Sequence, residues 1–194
     1  ASLPIRHQAA RVPGREIPWN LPREFARHCR ALRGHPTLAV SIFGSAFYYF
    51  VGALVVLIVN EYGLTTLGLD KEETSLLLLP VALGIAVGAV IASRFSGDRI
   101  EPGLTPLGLF GMAGSLFAIQ AAPHSTQWVA VCLSVLGVSS GIFSLPIRTL
   151  CQVLPPDATR GSVLGFSQGM DFIGILLAGP ALALMQAGGL TPPG

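Results

Sequence analysis

Five blocks of nearly uninterrupted apolar residues divide this chain, each closed by a short polar stretch. They cover about 37–60, 74–93, 104–121, 128–150 and 161–186. Blocks of this length, rising about 1.5 Å per residue, each cross a hydrocarbon layer of about 30 Å. Inside such a layer every backbone N–H and C=O must be paired within its own segment, so helices are predicted. Strands of a membrane barrel would alternate over about ten residues, and no such stretch occurs here. The pattern predicts an all-α membrane protein with about five transmembrane helices.

Local signals place the ends. Pro36 suits the start of the first span, and no charge interrupts that span. Asp70 followed by Glu73 has the spacing of a capping box that opens the second span. That span carries Pro80 and the pair Gly84/Gly88, and a charged turn, Arg94 to Gly103, closes it. Gly108, Gly111 and Gly114 are spaced three apart in the third span. Trp128 opens the fourth, where an interfacial aromatic belongs. Gly137, Gly141 and Pro146 lie within the fourth, and Gly165/Gly169 within the fifth. Pairs of glycines four apart let helices approach closely.

Residues 1–36 differ in kind, with seven arginines and two glutamates. Asn20 can cap a short helix with Leu21, Phe25 and Leu32 on its apolar side and Trp19 at its head. Such a segment reads as a helix on a membrane surface or as a solvated linker. The opening stretch lacks the apolar core of a signal peptide. A chain that begins on Ala1 and stops after an odd number of crossings is expected to be part of a longer one.

Composition agrees with the membrane reading. Hydrophobic residues make up 51% and charged residues 11%, whereas an average soluble domain carries about 25% charged residues. Eleven arginines fall in the arm, in the turn after the second span, in the loop after the fourth, or at adjoining helix ends. The opposite side holds only Lys71. This bias predicts that the arm is a cytoplasmic linker, 1–36, preceding an incomplete transmembrane domain, 37–194. Arginines arranged by membrane side point to anionic lipid as a partner and away from nucleic acid.

Candidate chemistry is sparse. Asp171 lies about 15 Å inside the fifth span by helical rise. A charge near the bilayer centre costs about 2.5–3.5 kcal/mol, so it should face the bundle interior or a wet cavity. It is either a coupling or head-group site or a structural carboxylate bonded to a neighbouring helix. Ser167 and Gln168, one turn earlier, can line the same region. Arg148 follows Pro146 near the inner end of the fourth span. Its guanidinium either holds a substrate phosphate or snorkels to the head groups. Tyr48 and Tyr49, mid-way along the first span between Phe47 and Phe50, offer hydroxyls at a depth where each needs a partner; packing is the alternative role. His7, His28, His35 and His124 are scattered, and Cys29, Cys132 and Cys151 lack metal-ligand spacing. No catalytic constellation, cofactor or metal is expected, and the chain reads as a transporter segment, not an enzyme.

Three stretches carry a family resemblance. Ser96-Gly97-Asp98-Arg99-Ile100-Glu101-Pro102-Gly103-Leu104-Thr105-Pro106-Leu107-Gly108 resembles the S-G-x-x-I-E-x-G-L-x-P-x-G turn of certain major facilitator superfamily transporters. Those members are related to bacterial lysophospholipid transporters. KEETSLLLLPVALGIAVG before the turn and LPIRTLCQVLPPDATRGSVLGFSQGMDFIGILLAG after it agree, the latter with a Pro-x-x-x-Arg-Gly loop. The superfamily's commoner turn has glycines where Arg94 and Glu101 stand here, while Asp98-Arg99 is retained. The resemblance covers about residues 20–185. It implies a major-facilitator-type helical bundle, with this chain as the linker plus five helices of the C-terminal six-helix half. It also implies a missing N-terminal half, a bacterial inner membrane and a secondary transporter working by alternating access. Lysophospholipid moved for re-acylation is the implied substrate, with an acyltransferase domain as a possible partner. Asp98 and Arg99 would form a gating turn on the cytoplasmic side. An exporter of drugs or small metabolites, and a non-transporting acyltransferase anchor, are the alternatives.

Overall fold

The computed structural model describes residues 21–96, 103–121, 125–157 and 159–189. Among them all regular structure is helical. A short helix α1 (Leu21–Ala31) and a 3-10 turn (Leu32–Gly34) lead into α2 (Pro36–Thr65). Then follow α3 (Lys71–Leu76), α4 (Leu79–Ser96), α5 (Leu104–Ala121), α6 (Thr126–Val153) and α7 (Arg160–Ala187). Five segments are long and apolar enough to cross a membrane: α2, α3 with α4, α5, α6 and α7. Trp19 and Asn20 lie outside the described residues, as do Asp98 and Arg99 of the turn.

The ends follow from local chemistry. Asp70 accepts hydrogen bonds from the backbone N–H groups of Glu72 (3.1 Å) and Glu73 (3.0 Å). The Glu73 carboxylate accepts the Asp70 N–H in return (3.4 Å), completing the capping box that the D-x-x-E spacing predicts. Gly68, at φ 64, takes the left-handed turn that separates α2 from this cap. The second span is broken between α3 and α4. Pro80 has no N–H to continue the ladder; just before it Leu77 shares its N–H between the Glu73 and Thr74 carbonyls, and Leu78 donates at shorter range to Ser75. Ser125 caps α6, and the Trp128 indole donates to the Ala118 carbonyl at 2.9 Å, stitching α5 to α6.

Helix α6 is the axis of the bundle. Half of its most apolar window is buried, against 17–22% for the other four spans. It packs on α4, on α5 and more lightly on α2, while α2 pairs along its length with α7. Glycines permit the tightest of these contacts. A Cβ added at Gly84 would stand 2.5 Å from the Ser134 carbonyl oxygen, and one at Gly108 2.7 Å from the Phe143 nitrogen. Gly88, Gly137 and Gly141 are equally closed in by facing backbone. Gly165 and Gly169 are not: nothing lies within 4 Å of an added Cβ at either. The glycine spacing in α7 is therefore not used for packing within this chain.

Large apolar side chains cover the outside, among them Phe117 (78% exposed), Phe110 and Leu176. A water-facing surface does not carry a continuous apolar coat of this kind; a lipid-facing one does. At one end of the bundle α1 joins the packing. Phe25 rests on Phe166 of α7 with ring centroids 4.7 Å apart, and Leu32 is buried with Leu38, Ile42, Cys151 and Phe166.

Candidate functional site

The α2–α7 seam is where the polar chemistry gathers. Asp171 lies about 16 Å along α7 from Arg160 and is only 5% exposed. Across the seam its polar neighbour is Ser45 of α2, also 5% exposed. The second carboxylate oxygen, Oδ1, is buried and has no hydrogen-bond partner. Leaving a buried acceptor unpaired costs about 1–3 kcal/mol, more for a charged one. An orphaned buried oxygen of this kind is a place where a ligand cation, an ammonium donor or a proton is stabilised.

Arg148 approaches from α6. Its guanidinium carbon sits 5.2 Å from the Tyr49 ring centroid, a cation–π arrangement. Asp171 and Cys151 lie in its surroundings, and the Ser167 hydroxyl, one turn before Asp171 on α7, neighbours the Cys151 thiol of α6. Asp171, Ser45, Arg148, Tyr49, Ser167 and Cys151 thus form one polar cluster where α2, α6 and α7 meet.

The remaining predicted residues lie elsewhere. Tyr48 stacks on Phe143 (5.7 Å, 26°) against the apolar core and meets Tyr49 edge-on. Gln168, the next residue after Ser167, is exposed on α7. Two cluster members carried no functional expectation from sequence. Ser45 follows Ser41 by one turn in a helix that is otherwise apolar, and that spacing was the available signal. Cys151 looked merely structural. Among the described residues no group of three or more His, Cys, Asp or Glu is placed to hold a metal.

Comparison with known proteins adds a family. The model of the Major Facilitator Superfamily matches residues 4–179. The chain belongs to the major facilitator superfamily.

Within the superfamily it is similar to proteins named lysophospholipid transporter LplT. The one from Photorhabdus laumondii is 29% identical over 143 residues, covering 71% of this chain and 35% of that protein. That from Yersinia enterocolitica is 29% identical over 146 residues, 74% of this chain and 35% of the relative. A Yersinia pestis relative is 28% identical over 149 residues, 76% of this chain and 36% of the relative. The chain therefore matches about a third of the length of these relatives. No solved structure matches it. As a major facilitator protein with five apolar helices long enough to cross a membrane, it is a multi-pass membrane protein.

Proposed function

We propose that this chain is the linker and five helices of the C-terminal half of a secondary transporter that moves lysophospholipid across a bacterial inner membrane. The observation that carries the reading is the buried carboxylate of Asp171, one of its oxygens without a hydrogen-bond partner, in the same cluster as the exposed Arg148 guanidinium. A lysophosphatidylethanolamine head group has one phosphate and one ammonium. Arg148 would take the phosphate, for which its planar fork is shaped. Asp171 would take the ammonium, with Tyr49 backing the guanidinium. The names of the similar transporters favour the same substrate class.

Alternating access supplies the mechanism. This helical half rocks against a partner half contributed by the rest of the protein, with the cluster near the midplane. The arginine bias supports a cytoplasmic side for residues 1–36 and the Asp98-Arg99 turn. An acyltransferase acting on the delivered lipid would complete the path, and that partner belongs to the proposal alone.

The test is transport of labelled lysophosphatidylethanolamine by the full-length protein in proteoliposomes. Asp171→Asn should lower the rate at least about tenfold, the equivalent of 1.4 kcal/mol, while the protein stays monodisperse and folded. Unchanged transport in that variant would refute the site. Movement of drugs but no lysolipid would favour an exporter of small molecules. Acylation of external lysolipid unaffected by Asp171→Asn would favour a membrane anchor.

A further inference from the structure

A cavity lies apart from the Asp171 cluster, at the end of the bundle where α2 and α7 begin. It has a volume of about 440 Å³ and is half open. Its walls divide by chemistry. Leu38 and Phe166 supply an apolar floor, while Arg27, His28, His35 and Ser162 supply a polar rim. No carboxylate lines it among the described residues.

Two helix starts reinforce the rim. His35 precedes α2, of 30 residues, and Thr159 precedes α7, of 28, and neither side chain caps its helix. Arg160 N–H is taken by the Pro156 carbonyl and Pro36 has no N–H, so the next backbone donors of each first turn and the positive end of the helix dipole are what these starts offer an anion. Thr159 and His35 both line the cavity, so both termini border the same space. His28 stacks on Phe166 with centroids 5.4 Å apart, which ties the polar rim to the apolar floor. The cavity also sits at the level where the apolar spans give way to the arginine-rich α1, the depth of lipid head groups.

We infer that this cavity between α1 and the start of α7 is a binding site for one anionic phospholipid. The phosphate sits among Arg27, His28 and His35, and an acyl chain runs over Leu38 and Phe166. A soluble phosphate would use the rim and leave the apolar floor unused. A zwitterionic lipid would bring its own cation against the Arg27 guanidinium and the positive ends of two helices. The anionic lipid matches both parts of the wall. Because Phe25 and Leu32 of α1 pack beside this floor, an occupying lipid would hold the linker helix against the bundle. The inference does not depend on the transported substrate, and it survives if the transport reading fails.

Native mass spectrometry of the delipidated full chain, with lipid added back, tests it. Dioleoylphosphatidylglycerol should be retained at one copy, at least about tenfold tighter than dioleoylphosphatidylcholine, the size expected for a charge-assisted contact. Millimolar inorganic phosphate should not displace it. Arg27→Gln with His35→Asn should abolish the preference, and Val163→Trp, which fills the floor and leaves the charges, should abolish retention. Equal retention of both lipids overturns the inference, and so does retention unaltered in both variants. Displacement by inorganic phosphate would make this a simple anion site and equally overturns it. If either variant fails to fold, the lipid preference of the unmodified chain decides alone, together with whether a photoreactive phosphatidylglycerol labels peptides of α1 and α7.

Discussion

The α4–α6 seam and the α2–α7 seam are both close helix contacts, and they are built in opposite ways. In the first, Gly84 and Gly88 of α4 face Gly137 and Gly141 of α6, and backbone meets backbone with no polar side chain between. In the second, Gly174 meets the Ala46 backbone at one level, but the rest of the seam holds Ser45 and Asp171. Near its far end Glu61 accepts two bonds from the Gln186 amide, at 3.0 and 2.8 Å. A seam of glycines has a single tight arrangement and tolerates no side chain. A seam with an unpaired carboxylate oxygen is less complete in itself, and something that binds there is stabilised. One seam is suited to holding the bundle, the other to using it.

Substitutions should separate the two. Gly88→Leu drives a side chain into the Val138 backbone, and overpacking of this sort costs about 1–3 kcal/mol or more. Loss of the monodisperse peak in size-exclusion chromatography, or a strongly lowered melting temperature, is the expected result. A Gly165→Leu control, in open space, should be nearly silent in the same assay. Asp171→Asn should do the reverse, leaving the melting temperature equal or raised while transport falls, because a neutral amide is easier to keep buried.

Smaller effects sharpen the polar seam further. Tyr49→Leu removes the ring beneath Arg148 and should weaken lysolipid uptake by roughly two- to fivefold, in line with about 0.5–1 kcal/mol for a cation–π contact. Tyr49→Phe keeps the ring face and should behave as the unmodified protein does; a loss as large as that of Tyr49→Leu would transfer the role to the hydroxyl. The smallest change is expected for Gln186→Leu. It breaks an exposed contact to Glu61, and a shift in thermal unfolding below about 1 kcal/mol is anticipated. A larger shift would mean that the far end of the seam, and not the Asp171 level, clamps α2 to α7.

Much of this was legible in the order of residues. Five crossings, the Asp70–Glu73 cap and the glycine pairs of α4 and α6 could be read directly, because each depends on spacing along one helix. The depth of Asp171 was equally readable from its distance into an apolar run. Which polar residues share its surroundings was not, because Ser45, Arg148 and Asp171 come from three different helices. Helices that are apolar on every side, as α2, α4 and α5 are, carry no stripe to reveal which face turns inward.

The sequence by itself therefore determined the class of molecule, the number and length of its crossings, and the one carboxylate placed where lipid would penalise it. The tertiary structure alone decided that Tyr49 and not Tyr48 meets Arg148, that Gln168 is exposed, and that Gly165 and Gly169 pack against nothing among the described residues. The reason is physical. Hydrocarbon thickness and backbone pairing act on each segment separately, whereas the rotation of one helix against another depends on shape across the seam, and no single segment contains that information.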